Sequence, residues 1–230
     1  MKRLVLAFVY TLVMRQVLKL FTGIKLLRKE NLAYSGPCII VANHNSHLDT
    51  VVILSSLHPN QLIKTHPVAA GDYFGKSPLK ARLTRYFVNA ILIPRSRPKE
   101  GEEGPDPIQL MIDVLDKGES LLLFPEGSRG EPEKFQKFKR GIGLILEQRP
   151  EIPFLPVYMK GLGKVLPKGD AVPVPFDSYV LFGKPVFPGW RTAEEIVAEV
   201  EQSIRGLMHE LPFQPAETEG EEGKEDEEGL

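Results

Sequence analysis

One heptapeptide concentrates reactive side chains: Asn43-His44-Asn45-Ser46-His47-Leu48-Asp49, directly after the apolar run 38–42. His44 and Asp49 stand five residues apart. On a continuous helix that spacing would set them about 140° apart, on different faces. They meet only if the chain turns between them, with His44 ending a strand and Asp49 in the first turn of a helix. A carboxylate on one imidazole nitrogen would fix the tautomer and leave the other nitrogen as a base. Ser46 is then the expected N-cap. Two plainer readings compete. Ser46-x-x-Asp49 is also a capping-box spacing, in which Asp49 serves only the helix terminus. His44, His47 and Asp49 are also potential metal ligands, although His58, His66 and His209 fall in no ligand-like cluster.

A second polar stretch, Phe124-Pro125-Glu126-Gly127-Ser128-Arg129-Gly130, follows another apolar run. In open α/β sheets ligands collect beyond the carboxyl ends of strands. Glycines there let a ligand approach the backbone, and Arg129 offers a planar fork suited to phosphate. Arg95 and Arg97 follow a third apolar run, and Lys139 and Arg140 precede a helical pattern. Each cation alone is ordinary surface charge; as a set they read as an anion pocket.

The elements that must position these groups are legible as alternating patterns. Short apolar runs at 38–42, 67–70, 90–93, 120–124, 152–159 and 179–182 read as buried strands. Helical periodicity falls at 46–57, 77–88, 107–115, 141–148 and 192–210, the last opening on a T-A-E-E capping box. Residues 97–107 form a polar loop rich in Gly, Pro and Glu, and 160–175 a second irregular stretch. The alternation predicts an α/β domain, a mostly parallel twisted sheet flanked by helices. No repeat and no Walker or dinucleotide glycine loop interrupts it.

At 230 residues the chain fits one domain, with ordinary apolar (42%) and charged (26%) content. The net charge of −1 hides an asymmetry. The last 15 residues hold eight acids against Lys224, which leaves the first 215 residues at +6. An acidic run without apolar residues cannot bury enough surface to fold, so 213–230 is expected to be a disordered tail. A mildly basic domain suits an anionic substrate or a membrane, and is too weak to imply nucleic acid. With Cys38 the single cysteine, no internal disulfide forms, which is compatible with a reducing compartment.

Residues 4–14 are apolar except Thr11, short of the roughly 20 residues needed to span a bilayer. There is no small-x-small cleavage site of the signal-peptide kind. Val17, Leu18, Leu20, Phe21 and Ile24 interleave with Arg15, Lys19, Lys25, Arg28 and Lys29, the pattern of a helix lying in a membrane interface. A core helix and a signal or spanning segment are the other readings. The expected organisation is an interfacial segment over 1–29, a catalytic domain over 30–212 and the tail.

Taken together, these stretches resemble the glycerolipid acyltransferase family typified by bacterial 1-acylglycerol-3-phosphate acyltransferases. Asn43-His44 through Asp49 matches its N-H-x-x-x-x-D motif, and Phe124 to Arg129 its F-P-E-G-[ST]-R motif. Phe138-Lys139-Arg140-Gly141 resembles its F-K-[KR]-G segment, and Ile152 to Val157 its V-P-I-x-P-V strand; order and spacing agree. The likeness departs at the G-x-x-F-I-[DS]-R stretch, where Asn89 replaces the glycine and Pro94 the polar residue, while Arg95 is kept. The resemblance implies His44 as general base on an acceptor hydroxyl and Asp49 as the group holding its ring. It implies Arg95, Glu126, Gly127, Ser128, Arg129 and Lys139 as substrate-binding residues. The donor would be acyl-CoA or an acyl-carrier protein and the acceptor a lysophospholipid, with no metal or other cofactor. The enzyme would work at the cytoplasmic face of a membrane, peripheral or monotopic. Another lysolipid or glycerol-3-phosphate as acceptor, or a non-catalytic lipid-binding module, are the alternatives.

Overall fold

The computed structural model describes residues 2–21, 23–46, 48–71, 88–95, 104–131, 133–165 and 176–211. A strand sends successive side chains to opposite faces, so an unbroken apolar run is stable only with both faces covered. The run after Pro37 becomes β2 (Ile39–Ala42), every residue buried, in the middle of a seven-stranded sheet. The other strands are β1 (Gly23–Leu27), β3 (Thr65–Ala70), β4 (Ile91–Ile93), β5 (Ser120–Leu123), β6 (Phe154–Lys160) and β7 (Asp177–Phe182). Their order is β1-β7-β6-β2-β5-β3-β4, and of the pairings only β6–β7 is antiparallel. Strands β2 to β6 therefore all end on one edge, the carboxyl edge. Strands β7 and β1 begin there.

The helices are α1 (Lys2–Phe8), α2 (Arg15–Phe21), α3 (Leu48–Ser56), α4 (Pro59–Leu62), α5 (Pro107–Asp116), α6 (Gly141–Gln148), α7 (Leu162–Val165) and α8 (Ala193–His209). Ile39 and Val41 point into a core shared with α5, α6 and α8. Ile40 and Ala42 point the other way, into a core shared with α3 and the N-terminal helical segment. Each of the buried Ile and Val side chains contributes on the order of 1.5–3 kcal/mol relative to leaving it exposed. The anticipated capping box starts α8: Thr192 accepts the Glu195 N–H, and Glu195 accepts the Thr192 N–H at 2.8 Å. A Cβ on Gly143 would lie 2.1 Å from the Ala193 carbonyl oxygen, so α6 and α8 meet there at backbone distance.

The N-terminus departs from expectation in one respect. Helix α1, a π-helical stretch (Val9–Met14) and α2 follow one another as anticipated, but the helix does not continue through Ile24. Gly23–Leu27 is a strand, paired in parallel with β7 from Gly23↔Asp177 to Leu27↔Leu181. Glycine disfavours helix, and the open edge of β7 offers the backbone a ladder instead. The cations that imitated a polar helix face, Lys25 and Arg28, face Asp177 and Glu210. The expected helix therefore stops short of Ile24, and the sheet begins at Gly23.

One side of the N-terminal segment is core, with Leu6 and Tyr10 buried and the Tyr10 phenol pushed up to about 12 by that burial. Phe8, Leu12, Val13 and Val17 are exposed. Arg15 donates to the carbonyls of Ser55 and Leu57, which the end of α3 would otherwise leave without partners. No helix among the described residues is long and apolar enough to cross a membrane. The expected tail, His47, Arg97, most of the 77–88 helix and much of the 97–107 and 160–175 stretches lie outside the described residues.

Candidate active site

Two asparagines build the turn that joins β2 to α3. Asn43 Nδ2 donates to the Met159 carbonyl at 2.8 Å, and Asn43 Oδ1 accepts the Met159 N–H at 2.7 Å. The side chain thus imitates one more rung of the β2–β6 ladder. Asn45 Nδ2 donates to the same carbonyl at 2.9 Å. The chain then reverses into α3, whose first turn carries Asp49 with no solvent exposure. Asp49 Oδ2 accepts the N–H groups of Asn45 (2.7 Å) and Ser46 (2.8 Å) and lies 2.8 Å from His44 Nδ1. One oxygen thus closes the turn and holds the imidazole, so the two readings left open by the spacing coexist. Ser46 stands at the helix entrance, its Oγ accepting the Leu48 N–H at 3.3 Å.

The ring of His44 stacks on Phe124, with centroids 4.1 Å apart and planes 17° from parallel. Its side chain is 18% exposed, and among the described residues nothing else bonds to the ring. With Nδ1 donating to Asp49, Nε2 is left with a lone pair at the carboxyl edge. This arrangement can accept a proton from a bound hydroxyl.

The turn after β5 lies beside it. Glu126 is 3% exposed, and its Oε1 accepts the His44 N–H at 3.0 Å. Burial pushes its carboxyl above the usual glutamate range, with the His44 and Gln136 N–H groups pulling partly back. Its Oε2 is a buried acceptor with no partner among the described residues. Gly127 has φ +73°, and a Cβ there would fall 2.5–2.8 Å from the end of the Lys139 side chain. Lys139 therefore lies across the turn, and its N–H donates to the Pro125 carbonyl at 2.8 Å. Ser128 is exposed and accepts Gln136 Nε2 on its carbonyl, while Arg129 is half-buried just beyond.

The structure gathers His44, Asp49, Glu126, Gly127, Ser128, Arg129 and Lys139 at the ends of β2 and β5. Arg95 is exposed at the same edge after β4, three strand positions from β2, roughly 14 Å away. Arg140 is drawn off to an ion pair with Glu194. Asn89, where the resembling family has glycine, holds φ +57°, a left-handed conformation that glycine takes freely and asparagine tolerates. Among the described residues no three His, Cys, Asp or Glu side chains gather as a metal site would require.

Glu133 was missed. It holds φ +65°, its N–H donates to Asn45 Oδ1 at 3.4 Å, and its Oε1 accepts the Gly161 N–H at 2.7 Å. It thereby ties the loop after β5 to the His44 turn and to the end of β6. Burial holds its carboxyl above the usual range, partly offset by the Gly161 N–H and then by Lys160 and Lys164. In sequence it is one acid in a Gly/Pro/Glu stretch, and no local spacing marks it.

The family model described as Acyltransferase matches residues 23–160, from the first residue of β1 to the last of β6. The 1-acyl-sn-glycerol-3-phosphate acyltransferase BAT2, chloroplastic, of Brassica napus is 30% identical over 160 residues, covering 69% of this chain and 43% of that protein. The chain thus spans less than half the length of that relative. The 1-acyl-sn-glycerol-3-phosphate acyltransferase of Bacillus subtilis is 26% identical over 148 residues, 64% of this chain and 68% of that one. In fold, the chain is similar to the crystal structure of the 1-acyl-sn-glycerophosphate (LPA) acyltransferase PlsC from Thermotoga maritima. The TM-score is 0.71 at 24% identity, over 90% of this chain and 80% of that one.

Proposed function

The chain belongs to the acyltransferase family, and on that premise we propose that it moves a fatty acyl group from acyl-CoA or an acyl-carrier protein to the free hydroxyl of a 1-acylglycerol-3-phosphate, giving phosphatidic acid. The observation that carries this reading is the 2.8 Å His44 Nδ1–Asp49 Oδ2 contact at a sheet edge, with Nε2 unengaged among the described residues. Nε2 takes the acceptor's hydroxyl proton as its oxygen attacks the thioester carbonyl carbon. Buried Asp49 faces the imidazolium that forms. Collapse of the tetrahedral intermediate breaks the C–S bond, and the thiol leaves with the proton returned from Nε2. No protein nucleophile, metal or redox group enters these steps. Cys38, its thiol pushed up to about 11 by burial, stands at the opposite end of β2. Arg129 and Lys139, with Arg95 farther along the edge, supply cations for the acceptor's phosphate.

Exposed Phe8, Leu12, Val13 and Val17 support a membrane-interface role for the N-terminal helices, which lead into β1 at the carboxyl edge. Because β1 belongs to the sheet, substitution tests this better than deletion. Combined Phe8→Asp, Leu12→Asp and Val17→Asp should leave a folded protein that no longer floats with vesicles; unchanged flotation would remove the anchor from the reading.

The reaction is tested by mixing purified protein in vesicles with a long-chain acyl-CoA and following free thiol. Lysophosphatidic acid, other lysophospholipids, glycerol-3-phosphate and no acceptor run side by side. Release that requires lysophosphatidic acid and disappears in His44→Ala is the expected result. Release without acceptor would make the protein a thioesterase, and silence with both CoA and carrier-protein donors would leave a binding module.

A further inference from the structure

The strands that carry the dyad have another end. At the amino edge, where β2, β3 and β5 begin, the 3₁₀ turn Lys29–Ala33 and the end of α3 help enclose a cavity of about 590 Å³. That volume lies within the range of small-molecule sites. Its wall is amphiphilic. Ile40, Leu57 and Leu155 contribute apolar surface, and Arg15, Lys29 and Lys64 contribute three cations against one acid, Glu30.

Arg15 and Lys29 both line this cavity, where Glu30 is the one acid. Burial first, and then the Arg15 charge, hold the Lys29 ammonium below the usual lysine range, and no acid offsets them. Arg15 spends Nε and Nη2 on the carbonyls of Ser55 and Leu57, which leaves further N–H donors on its guanidinium. Arg28, just before Lys29, holds φ +56°, a left-handed conformation costly for a non-glycine residue. The Arg28 side chain itself turns away to Glu210. Two like charges on one amphiphilic cavity wall form an arrangement that an anion would complete.

We propose that this cavity is a second binding site, for an amphiphilic anion whose phosphate or carboxylate head sits between Lys29 and Arg15 and whose apolar part lies against Ile40, Leu57 and Leu155. The site is separate from the dyad: Cys38 on its wall precedes β2 and His44 follows it, six residues along the chain and at most roughly 20 Å at strand rise. The two ends share one rigid element. Arg15 holds the last carbonyls of α3, and the first turn of α3 carries Asp49.

The test is equilibrium dialysis of the full chain against radiolabelled decanoate and decyl phosphate, each below its micellar concentration. The expected result is saturable binding of at least one of them, near one per chain. Lys29→Glu should weaken it at least about tenfold, a loss of about 1.4 kcal/mol. Decyl phosphate alone would assign a phosphate head, decanoate alone a carboxylate, and both the shared chemistry. Ala33→Trp fills the exposed rim without changing charge and should also reduce binding, with circular dichroism verifying the fold. His44→Ala should bind as wild type, so this result stands or falls apart from the proposed reaction. Unchanged binding in Lys29→Glu, loss of binding through Arg129→Ala instead, or equal competition by neutral decyl maltoside would overturn the proposal.

Discussion

Two imidazole–carboxylate pairs of nearly equal length sit at opposite edges of one sheet. His44 Nδ1 lies 2.8 Å from Asp49 Oδ2 at the carboxyl edge; His66 Nε2 lies 2.7 Å from Glu119 Oε2 at the amino edge. The second nitrogen separates them. His66 Nδ1 sits 3.0 Å from the Asn89 carbonyl, so acceptors occupy both sides of that ring. It is a clasp joining β3, the approach to β4 and the start of β5, and Arg3 extends it to the N-terminal helix through Glu119. His44 keeps Nε2 unengaged among the described residues, beside a glycine turn. Proximity of a carboxylate is therefore common to both pairs, and the capacity for base chemistry lies in the nitrogen that the fold leaves unspent.

Exchanging losses between the two pairs is the sharpest way to break this comparison. His44→Ala should cost at least about 10²-fold in kcat, and its fall in urea midpoint should be the smaller one because the Asn45 and Ser46 N–H groups still hold Asp49 Oδ2. His66→Ala should leave the rate near wild type and cost about 1–3 kcal/mol of stability, since it strands two acceptors. Steady-state kinetics and urea titration on both variants decide it, and a large rate loss in His66→Ala would erase the distinction. Asp49→Asn should fall at least about tenfold, because an amide can present the wrong partner to Nδ1. Wild-type turnover there would reduce Asp49 to a turn-closing residue.

Smaller effects refine the carboxyl edge. Arg129→Lys keeps charge but loses the fork, so the acceptor KM should rise severalfold while the donor KM holds; an unmoved acceptor KM removes Arg129 from the phosphate site. Glu126→Gln reads the cost of the buried carboxyl. Its raised value means that the folded protein binds this proton more tightly than the unfolded chain does. The associated stability is complete below the ordinary glutamate range and is lost as pH rises through the raised value. Wild type should therefore lose stability relative to Glu126→Gln as pH rises from the ordinary glutamate value, about 4.3, through the raised one. Parallel urea midpoints across that window would contradict the assignment.

What the chain reveals on inspection is what nearest neighbours decide. The run 38–42 is apolar on both parities, so β2 had to be doubly covered, and α6 begins and ends where its periodicity does. The His44–Asp49 turn was legible because both partners fall within six residues. Glu133 was not, since its partner Asn45 is 88 residues away and the tie uses a backbone N–H that no side-chain pattern advertises. The clasp between His66 and Glu119 escaped for the same reason, at a separation of 53. Strand β1 was misread because Ile24 and Lys25 continue the interleaving of apolar residues and cations that precedes them; the open edge of β7 chose strand over helix.

That edge pairing has a consequence for how the protein is made. Lys25 meets its register partner Tyr179 across 154 residues. At ~5–20 residues per second, β1 would wait roughly 8–30 s of translation before a partner existed for it. Helices α1 and α2 need no such delay, because their backbone bonds are local. Through that interval the nascent chain presents Phe8, Leu12, Val13 and Val17 ahead of any finished sheet, so these apolar side chains are available to a partner surface before the carboxyl edge is assembled.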